Sequence, residues 1–308
     1  MKEALQVAGL SIYSLRGKAH HKIVNNISFS AFPNCSLAIV GESGSGKTMT
    51  ALSFMGLLPR NCYAEGSSML GTENLLDSKV AHRLRGTKTV LIPQSGIDFL
   101  DPVFTVEQQV SETLAKMGVQ KKDRRAKAAT LLASVGMPDA GSVLKKYPFE
   151  ISGGMAQRVI LAIGMATNPD LIIADEPTRG IDAAGVDLFM ERMQDIFSTA
   201  IRIIITHNID IARQCDALLV MFQGEIMEYG PAKTILEQPM HPYTVDLLNS
   251  LPSNQHFASG ELLPDIIPLV SATGCVYAPR CRLASAECFI THPHIVERNG
   301  VKRSCLNA

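Results

Sequence analysis

The stretch that decides the fold reads Ser36-Leu37-Ala38-Ile39-Val40-Gly41-Glu42-Ser43-Gly44-Ser45-Gly46-Lys47-Thr48-Met49-Thr50. Ser36 to Val40 is a short apolar run and reads as a buried strand. From Thr48 to Leu58 the apolar residues recur at helical spacing. Between them, Gly41 to Thr48 fits G-x-x-x-x-G-K-S/T at every fixed position, in the strand-loop-helix context the motif requires. Gly41, Gly44 and Gly46 let backbone N–H groups curl around a phosphate without Cβ clashes, with Glu42, Ser43 and Ser45 completing the loop. The following helix points its positive end at the same anion. Lys47 is spaced to reach the β- and γ-phosphates, and the Thr48 hydroxyl to ligate Mg²⁺. A dinucleotide fingerprint does not fit, because no third glycine follows Gly46 three positions on. The loop alone says nucleoside triphosphate and no more.

Working outward, Lys22 to Phe32 alternates between polar and apolar residues and reads as a strand, and Thr87 to Pro93 as another. Val106 to Met117, Ala126 to Val135 and Met155 to Met165 are helical in period. Leu171 to Ala174 and Arg202 to Thr206 are apolar strands flanking a helix-like Asp187 to Ile196. Strands alternating with helices predict a mostly parallel sheet covered on both faces, that is, an α/β fold. The helical stretch, about 97–165, reads as an inserted subdomain. From Glu237 the composition shifts to Pro, His and Cys, so 237–308 is expected to be an extension of a first domain spanning 1–236.

Two carboxylates, Asp175 and Glu176, close the apolar strand, where ligands bind in open α/β sheets. Asp175 is placed to hold Mg²⁺ through its water shell, and Glu176 to orient and deprotonate an attacking water. Shortly before them, Ser152-Gly153-Gly154-Met155-Ala156-Gln157-Arg158 opens a helix and forms a second anion-binding start. One γ-phosphate does not need two such sites from one chain. The simplest arrangement is a dimer that shares its nucleotides.

Ser152, Gly153 and Gly154 with Gln157 and Arg158 resemble the signature of the ATP-binding cassette family. Pro93-Gln94 is similar to its Q-loop, Gly180-Ile181-Asp182 to its D-loop and Thr206-His207 to its switch histidine, all in the family's order from Leu5 to Pro231. The resemblance implies a P-loop ATPase core with a small antiparallel β subdomain and an inserted helical subdomain. It implies head-to-tail pairing, with Ser152, Gly153, Gly154 and Gln157 acting on the partner's ATP and Asp182 in the D-loop. It also implies that Gln94 contacts Mg²⁺ and senses the γ-phosphate, and that His207 hydrogen-bonds it. Tyr13 is the aromatic available to stack on adenine, or else a residue capping a strand edge, and Leu15 to His21 looks like an insertion.

Tyr147-Pro148-Phe149-Glu150, His241-Pro242-Tyr243-Thr244 with Leu251-Pro252, and a tail bearing Cys275, Cys281, Cys288 and Cys305 resemble the oligopeptide, dipeptide and nickel importer branch. The implied protein is an importer ATPase working with a related second cassette subunit, two membrane permease subunits and, indirectly, an extracytoplasmic solute-binding protein. Its solute is a peptide, nickel or a metal chelate. The alternative is a non-transport cassette ATPase, which usually carries a coiled-coil insertion or two cassettes in one chain. Neither appears here. An exporter is the third reading. The intervals are wider than the paired C-x-x-C arms of structural zinc, which makes zinc the second choice. Four Cys ligands suit a 4Fe–4S cluster, which the resemblance implies similar tails carry. The rival is a small thiol-containing core.

The 308 residues carry 29 Lys+Arg against 29 Asp+Glu, and this zero net charge argues against a strongly basic nucleic-acid surface. No apolar run approaches the ~18 residues of a membrane span, and the N-terminus lacks a secretory h-region. The expected location is therefore the cytoplasmic face of the cell membrane, reached through a partner.

Overall fold

The computed structural model describes residues 4–17, 19–137, 139–178, 183–250 and 273–307. The chain opens with the long hairpin β1 (Leu5–Arg16) and β2 (Ala19–Ala31), whose pairing runs out to Arg16 opposite Ala19. In the segment expected as an insertion, Leu15 pairs with His20 and Arg16 with Ala19, toward the end of this hairpin. Then follow β3 (Ser36–Val40), α1 (Lys47–Phe54), β4 (Cys62–Leu70), β5 (Glu73–Asn74), α2 (Ser78–Leu84) and β6 (Thr89–Ile92). The helical part holds α3 (Val106–Lys116), α4 (Lys121–Ser134), α5 (Ala140–Val143) and α6 (Gly153–Met165). Strands resume with β7 (Leu171–Asp175), α7 (Ala183–Ile196), β8 (Ile201–Ile205), α8 (Ile209–Arg213), β9 (Ala217–Phe222) and β10 (Glu225–Pro231). The tail carries α9 (Ala232–Glu237), α10 (Pro242–Asn249), β11 (Ile295–Arg298) and β12 (Val301–Ser304).

Two sheets result. One is antiparallel in the order β2-β1-β4-β5, and the other runs β11-β12-β10-β9-β3-β8-β7-β6. In the large sheet β9, β3, β8, β7 and β6 are parallel, while β10, β12 and β11 add antiparallel strands at one edge. The expected mostly parallel core is present. The tail, although distinct in composition, extends this same sheet through Glu228 opposite Arg303.

Period-two alternation explains why the central strands are apolar throughout. Leu37 and Ile39 of β3, with Leu171 and Ile173 of β7, face a core shared with the antiparallel sheet. Ala38, Val40, Ile172 and Ala174 face the opposite way, into a core shared with the helical part. That second core includes Val106, Val110, Leu114 and Leu132, and it continues into Tyr243, Cys275, Tyr277 and Cys288 of the tail. Arg202 is the exception on buried β8. Its guanidinium donates to the carbonyls of Phe197 at 3.0 Å and Asn34 at 3.0 Å, which satisfies a charge that burial would otherwise penalise.

Caps set the helix starts. The Thr105 hydroxyl accepts from Gln108 N–H while the Gln108 side chain accepts from Thr105 N–H, a reciprocal box that starts α3. The Ser152 hydroxyl accepts from Met155 N–H at 3.3 Å and starts α6.

Candidate functional site

A cleft of about 580 Å³ opens at the carboxyl ends of β3, β7 and β8. Gly41, Ser43, Gly44, Ser45, Gly46, Lys47 and Thr48 line one side, and Gln94, Asp175, Glu176 and His207 the other. Residues read from four separate motifs therefore meet in one place. The loop turns sharply out of β3 at Gly41, where φ is +151° and a Cβ would lie 2.1 Å from the Met221 carbonyl oxygen. Only glycine fits there.

Lys47 is buried. Its ammonium donates to the carbonyls of Gly41 and Glu42, both at 2.8 Å, and to Ser45 Oγ at 3.3 Å. Burial lowers its pKa, and the carboxylates of Glu176, Asp175 and Glu42 oppose that shift. Burial raises the Asp175 pKa, while the Thr48 hydroxyl, hydrogen-bonded to it, and Lys47 pull the other way. Thr48, Asp175 and Gln94 thus present hard oxygen donors beside the loop. This set fits Mg²⁺, which keeps several waters and takes few protein ligands.

Glu176 sits just past β7 with φ +47°, the left-handed region that a side chain enters at a cost. Its N–H donates to the Ile205 carbonyl at 2.8 Å, and its Oε2 accepts from His207 Nδ1 at 2.8 Å. The strain is held by the neighbouring strand, and it aims the carboxylate across the cleft. His207 is held between β8 and α8, where Asn208 caps the helix by accepting from Asp210 N–H at 2.8 Å.

Three of the expected groups lie away from this cleft. Tyr13 does not line the cleft. It stacks on Tyr63, ring centroids 5.0 Å apart, under the Lys22 ammonium, because the two tyrosines pair across β1 and β4. Ile23 lines the cleft instead. Gln157 does not face outward with Ser152, Gly153 and Gly154. It is buried, and its Nε2 donates to the Pro93 carbonyl at 3.3 Å. Gly96 explains the closeness, since a Cβ there would lie 2.7 Å from Gln157 N, so the segment after Gln94 packs directly on α6. Ser152, Gly153 and Gly154 are exposed and are not part of their own chain's cleft. The D-loop residues Gly180, Ile181 and Asp182, and Leu251-Pro252, lie outside the described residues.

The tail cysteines are the third case. Cys275, Cys281, Cys288 and Cys305 are near enough for their charges to act on one another, and burial pushes the Cys275 thiol up to about 11. Yet they do not converge as a metal-holding group among the described residues. The donor chemistry fits an iron–sulfur cluster and the present positions do not, so no step of the chemistry is routed through one.

Sequence reasoning missed Tyr243 and Arg280 as neighbours of the phosphate loop. The Tyr243 hydroxyl accepts from Glu42 N–H at 2.9 Å, and Arg280 pairs with the Glu42 carboxylate at 2.7 Å. The His241-Pro242-Tyr243-Thr244 run was visible in the sequence, but nothing local connects it to a loop 201 residues away.

A glycine-rich loop closing on a buried lysine, with two carboxylates at the next strand end, defines a P-loop nucleotide-hydrolysing domain. The chain belongs to the ABC transporter family, whose pattern it matches over residues 24–179. It also matches the oligopeptide/dipeptide transporter C-terminal region over 227–288. Its activity is ATP hydrolysis coupled to transport, with ATP and Mg²⁺ as the nucleotide system. It is 37% identical to the dipeptide transport ATP-binding protein DppD of Haemophilus influenzae, covering 98% of this chain and 94% of that one. It is 34% identical to the oligopeptide transport ATP-binding protein AppD of Bacillus subtilis, covering 96% and 94%. Among solved structures it resembles cbiO1 of Clostridium perfringens, part of the ABC transporter complex cbiONQ. There the TM-score is 0.65 and the identity 25%, over 83% of this chain and 98% of that one.

Proposed function

We propose that this chain energises uptake of short peptides as the ATPase subunit of an importer, seated on the cytoplasmic face of a membrane. The observation that carries this is the tail. Residues 227–288 match the region that marks oligopeptide and dipeptide transporters, and the relatives similar over nearly the whole chain are named for those solutes. No helix among the described residues is long and apolar enough to cross a membrane. Membership of a transporter family supports permease subunits as the partners that supply the path. Residues 1–236 form the cassette, with 97–165 as its helical subdomain, and 237–308 form the importer-type extension.

In hydrolysis, water attacks the γ-phosphorus, the bond to the ADP oxygen breaks, and Glu176 takes the proton from the water. His207 holds the γ-phosphate side of the cleft and, through its 2.8 Å hydrogen bond, the orientation of Glu176. Lys47 and the loop N–H groups bind the β- and γ-phosphates, and Thr48, Asp175 and Gln94 hold the metal. Mg²⁺ held by these residues would supply positive charge against the negative charge that develops in the reaction. Ser152, Gly153 and Gly154, exposed and outside their own cleft, close on ATP held by a second, related cassette. Asp182 works at that same junction.

The coupling surface lies beside Gln94. Phe99 is 61% exposed and Val103 70%, apolar side chains left open in the segment that joins Gln94 to the helical subdomain. It receives the permease. In the reconstituted transporter, peptide uptake should require ATP, and Phe99→Ser with Val103→Ser should abolish uptake while leaving basal ATPase within about twofold, as expected for surface changes. A transporter that moves nickel but no peptide would overturn the solute, and equal loss of both activities would overturn the coupling role.

A further inference from the structure

Glu42, the second residue of the phosphate loop, is held from outside the loop. Its N–H donates to the Tyr243 hydroxyl at 2.9 Å, and its carboxylate accepts both terminal guanidinium nitrogens of Arg280, at 2.8 and 2.7 Å. A fork-to-fork contact of this kind fixes orientation as well as distance. Tyr243 belongs to α10, and Arg280 to the short turn Ala278–Arg280, so both contacts come from the extension.

Neither side chain is free to swing. The Tyr243 ring is buried, with centroid distances of 4.7 Å to Phe222 and 5.3 Å to Tyr277. The Arg280 guanidinium lies over the same two rings, 5.3 Å from Phe222 and 5.7 Å from Tyr277. Tyr277 is itself held, its hydroxyl donating to Asp246, and the turn is closed by Arg280 N–H donating to the Tyr277 carbonyl at 3.0 Å. The other side of Glu42 faces the chemistry. Its carbonyl accepts from the Lys47 ammonium at 2.8 Å and from Ser45 N–H at 3.2 Å. One residue therefore joins the extension to the ammonium that meets the phosphates.

Both members of the Arg280–Glu42 pair are partly exposed, so the pair adds little to stability. Its leverage is geometric, because misplacing a catalytic constellation by about 1 Å can cost on the order of 100-fold in rate. We propose that Arg280 and Tyr243 are positioning residues for ATP hydrolysis. From the extension they hold Glu42, and through it the loop and Lys47, in the conformation that receives the γ-phosphate. This rests on the loop being the ATP site, and displacing the extension withdraws both contacts together.

The test uses the full-length chain in the assembled transporter, measuring the KM for ATP, kcat and thermal stability. Arg280→Glu places two carboxylates face to face and should raise KM about tenfold, the scale of one lost charge-assisted contact, with a smaller fall in kcat. Glu42→Arg alone should do the same. Combining Glu42→Arg with Arg280→Glu restores an opposite-charge pair and should bring KM back to within about threefold of wild type. Tyr243→Phe keeps the ring and loses only the hydroxyl, and should raise KM about threefold. A purely structural pair would lower thermal stability without moving KM, and the double variant would rescue nothing. If Arg280→Glu does not fold, Arg280→Lys keeps the charge without the fork and should raise KM about threefold. Lys47→Ala separates the two readings. Undiminished ATP affinity in that variant would sink the ATP site itself. Lost affinity there, with wild-type KM in both Arg280→Lys and Tyr243→Phe, would overturn the positioning role alone, as would a double variant no better than its weaker parent.

Discussion

The phosphate cleft and the C-terminal extension meet at Glu42 and are built by opposite means. In the cleft, Lys47 finds its partners no more than six residues away, and the strands of a parallel sheet deliver Asp175, Glu176 and His207 from their ends. At the extension, Tyr243 and Tyr277 interlock with Phe222 of β9 from distant parts of the chain, and its contacts with the loop span 201 and 238 residues. The chemistry is local in sequence and its support is not. A change in the cleft should therefore act on the reaction with little effect on folding. A change in the extension should act first on docking, and reach the reaction only through Glu42.

The largest expected effect breaks the comparison on the cleft side. Glu176→Gln keeps the shape and the hydrogen bond from His207 but removes the base, so turnover should fall by about 10²- to 10⁴-fold with ATP still bound. Steady-state hydrolysis and nucleotide binding by the assembled transporter check both halves. Turnover within a few fold of wild type would remove Glu176 from its role.

That prediction was reachable from sequence, and the reason is physical. A phosphate loop demands glycine where φ is positive or the backbone is close, a lysine at a fixed offset and a hydroxyl next to it. All of these lie within eight residues, Gly41 to Thr48. The buried strands β3, β7 and β8 were legible because both faces are covered, which leaves unbroken apolar runs. What was not legible depended on partners remote in sequence. The stacking of Tyr13 on Tyr63 depends on a strand, β4, that the sequence pattern does not announce. Gln157 looked like part of an outward signature, but Gly96 brings the chain close enough to bury it. The tail's use of β12 to extend the large sheet is a pairing that four residues, three of them polar, do not announce.

The next effect sharpens the comparison on the extension side. His241 caps α10, its Nδ1 accepting from Tyr243 N–H at 3.0 Å, and burial pulls its pKa down to about 4. A hydrogen bond with the Ser304 backbone and the Asp246 carboxylate favour the charged ring, Arg303 disfavours it, and burial outweighs them. The folded state thus holds His241 neutral while the unfolded chain takes up a proton at about pH 6.5. The unfolded state binds more protons between those values. Stability is therefore full above about pH 6.5 and is lost as the pH falls toward 4, by up to about 3 kcal/mol. His241→Asn keeps an acceptor for the cap without a titrating ring. Denaturant titrations at pH 7.5 and 4.5 should show a smaller pH difference in that variant than in wild type. Identical differences would show that another group governs the acid sensitivity of the tail.

The smallest effect on turnover asks what holds the extension together. If it is braced by an iron–sulfur cluster, protein purified without oxygen should be brown, absorb broadly in the visible and contain close to four irons per chain, as a four-cysteine cluster requires. Cys281→Ser should then bleach it. Cys281 follows Arg280 directly, and its N–H donates to the Ala278 carbonyl at 3.2 Å, so loosening this turn also loosens the contact with Glu42. The consequence for ATP can be no larger than losing that contact, about tenfold in KM, and the base Glu176 is untouched. If instead the thiols are packing groups, iron is absent from wild type and Cys281→Ser exchanges one small, half-buried group for another. The melting temperature and KM should then barely move, because Phe222, Tyr243 and Tyr277 already fill the junction. Iron content with a colourless variant decides for the brace. Colourless, iron-free wild type from an iron-replete anaerobic preparation decides for the aromatic junction alone, and would make the contrast with the cleft one of packing against chemistry.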